Sequence, residues 1–205
     1  DFAPAYYEDT DLCFAIRSLG HRVMYQPLAV VTHFEGVSHG TDTGVGIKAY
    51  QVWNKRRFAD KWQQVLSQHR SNGVEPMLER DRPARARILW IEACMLTPDQ
   101  DSGSLRTIRL LRILVRMGCK VTYVADNLDG EEQYRSQLSR EGVEVIHAPF
   151  FSSVRDYLRQ HGAEFDIVTL CRHYIAIQHI KTVRDVNPAA KIWFDTIDLH
   201  YLRLR

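Results

Sequence analysis

From residue 86 onward, short apolar runs alternate with amphipathic helical patterns, and this alternation constrains the fold more than any other feature. A continuous apolar run is typical of a strand that is buried on both faces of a parallel sheet. Such strands, alternating with helices through short connections, predict an α/β fold with a doubly wound, Rossmann-like parallel sheet. The predicted strands cover residues 88–93, 121–125, 143–148, 167–171 and 191–194, and the predicted helices cover 104–117, 131–141, 154–160 and 176–186.

A charged stretch with Gly and Pro at residues 71–85 separates this pattern from a different first segment. We interpret it as a linker, so that the domains are 1–70, the linker 71–85, and 86–205. In the first segment we expect a helix over 9–19, extended runs over 22–25 and 29–34, a Gly-rich loop over 36–46 and a helix over 49–68. The chain does not begin with Met, and we expect it to be part of a longer protein.

Composition excludes several classes of protein. The 205 residues carry a net charge of +2, which argues against nucleic-acid binding by bulk electrostatics. No apolar run approaches the roughly 20 residues of a membrane span, so no transmembrane segment is predicted. The four cysteines form no CxxC pair, which argues against a zinc knuckle or a disulfide framework. Most lie in apolar runs, which favours buried free thiols and a cytoplasmic location, with membrane association of the parent protein left open.

Three carboxylates, Glu8, Asp9 and Asp11, lie at the start of the first predicted helix. Acids in a first turn cap the helix and interact favourably with its dipole, and Asp9 or Thr10 could act as the cap. Alternatively, one carboxylate acts as a general base, because crowded negative charges raise proton affinity. The residues alone leave both interpretations open.

The wider context of these acids resembles the acceptor-side half of family 2 inverting glycosyltransferases of the GT-A fold. The resemblance implies that Asp9, beside Glu8, is the catalytic base that deprotonates the acceptor hydroxyl. It also implies that His33 binds a divalent metal, Mn²⁺ or Mg²⁺, at the donor diphosphate. The family's Asp-x-Asp motif is missing and is expected upstream. The resemblance rests on Glu8-Asp9-Thr10-Asp11-Leu12, Arg17, Gly20-His21-Arg22-Val23, Tyr25-Gln26-Pro27 and Val30-Val31-Thr32-His33.

The connection after the first strand of the second domain lacks the GxGxxG pattern of classical dinucleotide binding. It does place a small turn at a helix N-terminus, where backbone N–H groups can bind an anion or sugar hydroxyls. Simple capping by Ser102 or Ser104 explains the same residues. The candidate binding residues of this turn are Asp101, Ser102, Gly103 and Ser104.

Further polar residues follow the fifth strand: Asp195, Asp198 and His200. Ligands of open α/β sheets bind at the carboxyl ends of the strands, so these residues and Asp101 are expected on one rim. Polar residues are common at strand ends, and this ordinary explanation stays open.

The second domain resembles the N-terminal Rossmann-like domain of family 4 glycosyltransferases of the GT-B fold. The resemblance rests on Arg87-Ile88-Leu89, Asp101-Ser102-Gly103-Ser104, the helix from Arg106 to Gly118, Lys120-Val121-Thr122 and Asp195-Thr196-Ile197-Asp198-Leu199-His200. It implies that this domain holds the acceptor without a cofactor, with acceptor or phosphate contacts near Gly103 and sugar contacts near His200. The donor-binding domain is expected after Arg205.

Together, the two resemblances imply a piece of a bacterial-type, multi-domain glycosyltransferase of polysaccharide biosynthesis. The parent enzyme would transfer sugar from a nucleotide-sugar donor to a glycan or lipid-linked acceptor, and residues 1–205 alone would have negligible activity. The alternative is a non-catalytic binding or regulatory domain with flavodoxin-like topology. A nucleotide-dependent epimerase or dehydrogenase is a third possibility, which the missing glycine pattern argues against.

Overall fold

A computed structural model of the chain describes residues 1–24, 29–32 and 42–197. The chain divides into two compact units, Asp1–Val74 and Glu75–Arg205.

The first unit is built from three helices in its described part. They are α1 (Glu8–Ser18), α2 (Ala49–Lys61) and α3 (Gln63–Leu66), with a single 3₁₀ turn (Gly46–Lys48) before α2. The helix predicted over 49–68 is therefore interrupted at Trp62. The described parts of the two predicted extended runs, residues 22–24 and 29–32, form no paired strand.

A buried asparagine on α2 holds the N-terminal loop of the first unit. The side-chain nitrogen of Asn54, which is fully buried, lies 3.0 Å from the carbonyl oxygen of Phe2 and 2.8 Å from that of Ala5. Phe58, also on α2, contacts the rings of Phe2 and Phe14. These contacts give the unit a small aromatic core that joins α1 and α2.

The second unit contains a sheet of five parallel strands. The strands are β1 (Arg87–Glu92), β2 (Lys120–Ala125), β3 (Val143–Ile146), β4 (Ile167–Cys171) and β5 (Lys191–Asp195). The helices are α4 (Pro76–Arg80), α5 (Ser102–Arg116), α6 (Glu132–Arg140), α7 (Val154–His161) and α8 (His173–Val186). The predicted α/β fold with a parallel Rossmann-like sheet is confirmed. The predicted linker differs in one respect, because its middle part forms α4.

The strands lie in the order β3-β2-β1-β4-β5. This is the order of the first five strands of the Rossmann fold, whereas flavodoxin-like sheets have the order 2-1-3-4-5. The flavodoxin-like topology of the alternative is therefore wrong for this sheet. The order reverses between β1 and β4, which makes the carboxyl edge between these two strands the topological switch point.

Helices cover both faces of the sheet. One apolar cluster packs β1 and β2 residues such as Trp90 and Tyr123 against Ile108 of α5 and Leu138 of α6. The other cluster packs the alternate residues of the strands, including Leu89, against α7 and α8. Since side chains alternate across a strand, β1 contributes to both clusters and is buried on both faces.

All four cysteines are free thiols, as expected, but their burial differs from the prediction. Cys171 is buried, whereas Cys94 is exposed and the other two are half-buried. Cys94 lies just after β1, where the chain has left the sheet. The burial predicted from its apolar neighbours in the sequence was therefore too high. Among the residues that the structure describes, no helix is both long enough and apolar enough to span a membrane.

We expect Leu89→Ala to destabilise the second unit by about 2–5 kcal/mol, because Leu89 is fully buried in the central strand. Hydrogen exchange of the β1 and β4 amides measures the change in the free energy of unfolding. Ile113→Ala, on the exposed side of α5, is the matched control and should change it by much less. Similar losses in both variants would contradict the described position of β1 in the core.

Candidate functional site

The switch point between β1 and β4 carries an ion pair that involves a buried carboxylate. Glu92, the last residue of β1, is 3% exposed, and its Oε1 accepts a hydrogen bond from the Nε of Arg172 at 3.1 Å. The N–H of Ala93 donates to the same oxygen at 3.0 Å. A carboxylate buried to this degree needs such partners, because isolated burial of a charge is costly. The pair therefore joins the carboxyl ends of two strands that are far apart in sequence.

Arg172 is held in an unusual backbone conformation between β4 and α8. Its φ is 72°, in the region that favours glycine, and its N–H donates to the carbonyl oxygen of Asp195 at 2.8 Å. Burial opposes its charge, but the hydrogen bond to Glu92 and the carboxylate charge raise the pKa of Arg172 overall. Strained residues of this kind concentrate at functional sites. The hydrogen bond to Glu92 holds the guanidinium at the switch point.

A second ion pair lies beside the first. An Nη nitrogen of Arg106, in the second turn of α5, donates to Asp195 Oδ2 at 2.7 Å, and this hydrogen bond raises the pKa of Arg106. The side chain of Asp195 is 10% exposed and that of Arg106 is 52% exposed. The hydrogen bonds to these two carboxylates use one nitrogen of each guanidinium. Since a guanidinium has five N–H groups, both arginines keep donors for a ligand.

The predicted binding turn at the start of α5 is organised around Asp101. Asp101 is the N-cap, and it accepts hydrogen bonds from the N–H and the hydroxyl of Ser104 and from the hydroxyl of Thr97. Partial burial acts to raise the pKa of Asp101, but these hydrogen bonds outweigh it and lower the pKa. Capping therefore uses most of the acceptor capacity of this carboxylate. Few acceptor positions of the Asp101 side chain are therefore left for a ligand.

Several predicted residues of the second unit lie together. A Cβ added at Gly103 would lie 3.1 Å from Asp101 Oδ1 and 3.8 Å from the Cγ2 of Ile197, which follows β5. The bond between Arg106 and Asp195 joins the same two regions. The structure thus brings residues 101–104 and Asp195 to one edge, where their ligand role stays a prediction. Asp198 and His200 lie outside the described residues.

Three residues of this edge were not found from the sequence: Glu92, Arg106 and Arg172. One signal was present, because a glutamate ends an otherwise apolar run at Glu92. The partner of that glutamate is 80 residues away. It could be identified only once β1 and β4 were known to be neighbours.

In the first unit, the two predicted catalytic carboxylates are exposed. Glu8 and Asp9 begin α1, and Asp9 Oδ1 accepts from the N–H of Thr10 at 2.7 Å. The N-cap of α1 is Tyr7, without a side-chain capping bond, so the predicted capping by Asp9 or Thr10 is wrong. The helix begins one residue earlier than predicted, which moves both residues into its first turn.

The third acid of the motif has a structural contact instead. Asp11 accepts from the Nζ of Lys61 at 2.8 Å and from the indole N–H of Trp62 at 2.7 Å. Burial acts to raise the pKa of Asp11, but the bonds from Lys61 and Trp62 lower it overall. Asp11 therefore ties α1 to the junction of α2 and α3. Asp9 has no such contact with any described residue, and it is exposed.

The predicted Mn²⁺ or Mg²⁺ site depends on His33, which lies outside the described residues. Within 1–24, 29–32 and 42–197, no group of three or more His, Cys, Asp or Glu side chains could hold a metal ion. Glu8 and Asp9 alone do not make such a site.

A comparison of the chain with protein-family models found no match, and comparisons with curated proteins and with solved structures found none either. The class defined by the structure is therefore that of an α/β protein whose second unit is a Rossmann-like parallel sheet.

We expect Asp101→Ala to destabilise the second unit by about 1 kcal/mol at neutral pH, because the N-cap of α5 is lost. The folded-state pKa of Asp101 lies below its ordinary value of 3.8. Its charge therefore stabilises the fold above that pH, and this contribution disappears as the pH falls through the folded-state pKa. Urea unfolding at neutral and acidic pH measures both effects.

Asp101→Asn is the matched control, since asparagine also caps helices but has no charge to titrate. It should lose less stability than Asp101→Ala, and its loss relative to the unchanged chain should shrink as the pH falls through the folded-state pKa of Asp101. Equal losses for the two variants at every pH would contradict the role assigned to the Asp101 carboxylate.

Proposed function

We propose that the second unit is the acceptor-holding Rossmann-like half of a GT-B glycosyltransferase, and that its ligand binds at the switch point between β1 and β4. The observation that carries this proposal is the pair of arginine–carboxylate contacts at that edge, Arg172 with Glu92 and Arg106 with Asp195. Arginines with unused donors suit phosphate or sugar hydroxyls. The missing glycine pattern argues against a dinucleotide.

The electrostatic balance of the edge supports a ligand of mixed chemistry. Each guanidinium is already compensated by a carboxylate, so the edge does not carry the uncompensated charge of a strong polyanion site. The N-terminus of α5 lies at the same edge and adds backbone partial positive charge. Such an arrangement suits a polar ligand with many hydroxyl groups and one anionic group, as in a sugar phosphate or a phosphate-linked acceptor.

We further propose that the first unit is the acceptor side of a family 2 GT-A glycosyltransferase. In this proposal the Asp9 carboxylate takes the proton of an acceptor hydroxyl. The hydroxyl oxygen then bonds to the anomeric carbon of the donor sugar, and the nucleoside diphosphate leaves with the electron pair. The exposure of Asp9, and the commitment of Asp11 to Lys61 and Trp62, support Asp9 as the available base.

We expect glucose 1-phosphate to bind the second unit at the switch point, and Arg106→Gln to weaken this binding about tenfold. The loss of charge-assisted hydrogen bonds to the phosphate is the reason for the decrease. NMR titration of the 205-residue chain measures the dissociation constant and locates the site. Arg159→Gln, on the exposed side of α7, is the matched control and should bind as the unchanged chain does. Equal affinity of all three proteins would contradict the site.

We also expect residues 1–205 to turn over no nucleotide sugar, because both units are proposed to be acceptor sides. Mass spectrometry of reactions with a panel of nucleotide sugars and saccharide acceptors checks this expectation. Measurable transfer or hydrolysis that depends on the protein would contradict the assignment. Tight binding of NAD at the switch point would instead favour the dehydrogenase that the sequence argued against.

A further inference from the structure

A shallow groove of about 420 Å³ lies between the β1–α5 connection and α6. Its volume is within the range of small-molecule sites, about 300–1,000 Å³. Among the residues that the structure describes, no lysine, arginine or histidine lines it. Its lining residues are Pro98, Asp99, Gln133, Tyr134 and Gln137.

A buried tyrosine orients the carboxylate of the groove. Tyr134 is 6% exposed, and its hydroxyl lies 2.9 Å and 3.1 Å from the two oxygens of Asp99. The side-chain amide of Gln100 donates to the same hydroxyl at 2.9 Å, so the hydroxyl proton is directed to Asp99. The bond to Asp99 raises the pKa of Tyr134. Asp99 is therefore an exposed carboxylate in a fixed orientation, with acceptor capacity left over.

Two amides on α6 complete the groove. Gln133 and Gln137 are four residues apart and so lie on the same side of the helix. Gln133 donates to Glu131 at 2.7 Å, which leaves its carbonyl oxygen free to accept. The side-chain amide of Gln137 has no hydrogen-bond partner within the described residues and offers both donors and an acceptor.

These groups select for a particular ligand chemistry. Neighbouring sugar hydroxyls both donate and accept hydrogen bonds, and they match a carboxylate placed beside amide groups. A phosphate or carboxylate ligand would instead face the charge of Asp99 with no compensating cation in the groove. The groove therefore differs in its charged groups from the edge that carries Arg106 and Arg172.

We infer that this groove is a subsite for an uncharged saccharide residue, held by Asp99 and Gln137 and positioned through Tyr134. The inference rests on the proposed function, in which the second unit binds the acceptor. It adds that the acceptor is a glycan with a neutral sugar next to its reacting or phosphate-bearing end. Asp99 and Gln137 contact the sugar, whereas Tyr134 acts through Asp99 as a positioning residue.

NMR titration of the 205-residue chain with methyl glycosides of glucose, galactose and N-acetylglucosamine tests the subsite, with glucuronic acid as the charged probe. We expect at least one neutral glycoside to shift the amides of residues 98–100 and 133–137. Gln137→Ala and Asp99→Asn should each weaken that binding about fivefold to tenfold. Glucuronic acid should leave these amides unchanged.

Gln160→Ala, an exposed glutamine of α7, is the matched control and should leave the affinity unchanged. Tyr134→Phe should weaken binding without changing which glycoside is preferred, and adding it to Asp99→Asn should cause no further loss. Simple destabilisation by Tyr134→Phe would not produce this lack of additivity.

Several results would overturn the inference. They are equal affinities of Gln137→Ala and Gln160→Ala, binding of glucuronic acid as strong as that of the neutral glycosides, and the absence of shifts at 98–100 and 133–137. If glucose 1-phosphate still binds near Arg106 in any of these cases, the proposed function stands and only the saccharide subsite fails. If neutral glycosides bind the groove while glucose 1-phosphate binds nowhere, the subsite stands and the proposed function fails.

Discussion

The burial of β1 between β2 and β4 is the constraint on which the second unit depends. A strand in this position uses its backbone N–H and C=O groups for its two neighbours and its side chains for two apolar clusters. Its buried positions therefore leave no place for side chains that bind a polar ligand. Polar groups are therefore displaced to its carboxyl end, where the β1 and β4 connections leave toward opposite faces of the sheet.

The contacts at this edge follow from that displacement. Because Glu92 ends a buried strand, its carboxylate needs partners, and the neighbouring strand supplies Arg172 at its own end. The backbone of Arg172 in turn bonds to Asp195 of β5, whose carboxylate is paired with Arg106 of α5. Three strand ends and one helix are joined by these bonds. The same bonds leave guanidinium donors facing outward, which is why the edge supports a binding function.

Most of the fold of the second unit was predictable from the sequence, because apolar runs and helix-ending glycines are local signals. Gly118, for example, ends α5 in a left-handed conformation, as its position after the periodic residues indicates. Strand order is not local, so neither the pair of Glu92 and Arg172 nor the excluded flavodoxin topology could be found in advance.

The same limit applies to the first unit. The helix at Glu8 was recognisable, but the contact of Asp11 with Lys61 and Trp62 spans some 50 residues and was not. Two carboxylates of one motif thus have different surroundings, and sequence spacing alone could not distinguish them. Residues 101–104 of the candidate site were predictable because they adjoin the start of a helix. The surroundings of similar residues such as Asp9 and Asp11 were not predictable, because tertiary contacts determine them.

The most direct test of the account uses Cys94, an exposed thiol in the connection that follows Glu92. Its rate of alkylation by iodoacetamide can be measured by peptide mass spectrometry with and without saturating glucose 1-phosphate, with Cys13 and Cys119 as internal references. If the carboxyl edge of β1 and β4 binds the ligand, Cys94 alone should be alkylated more slowly when the ligand is bound. An unchanged rate at Cys94 under saturation would contradict the placement of the site.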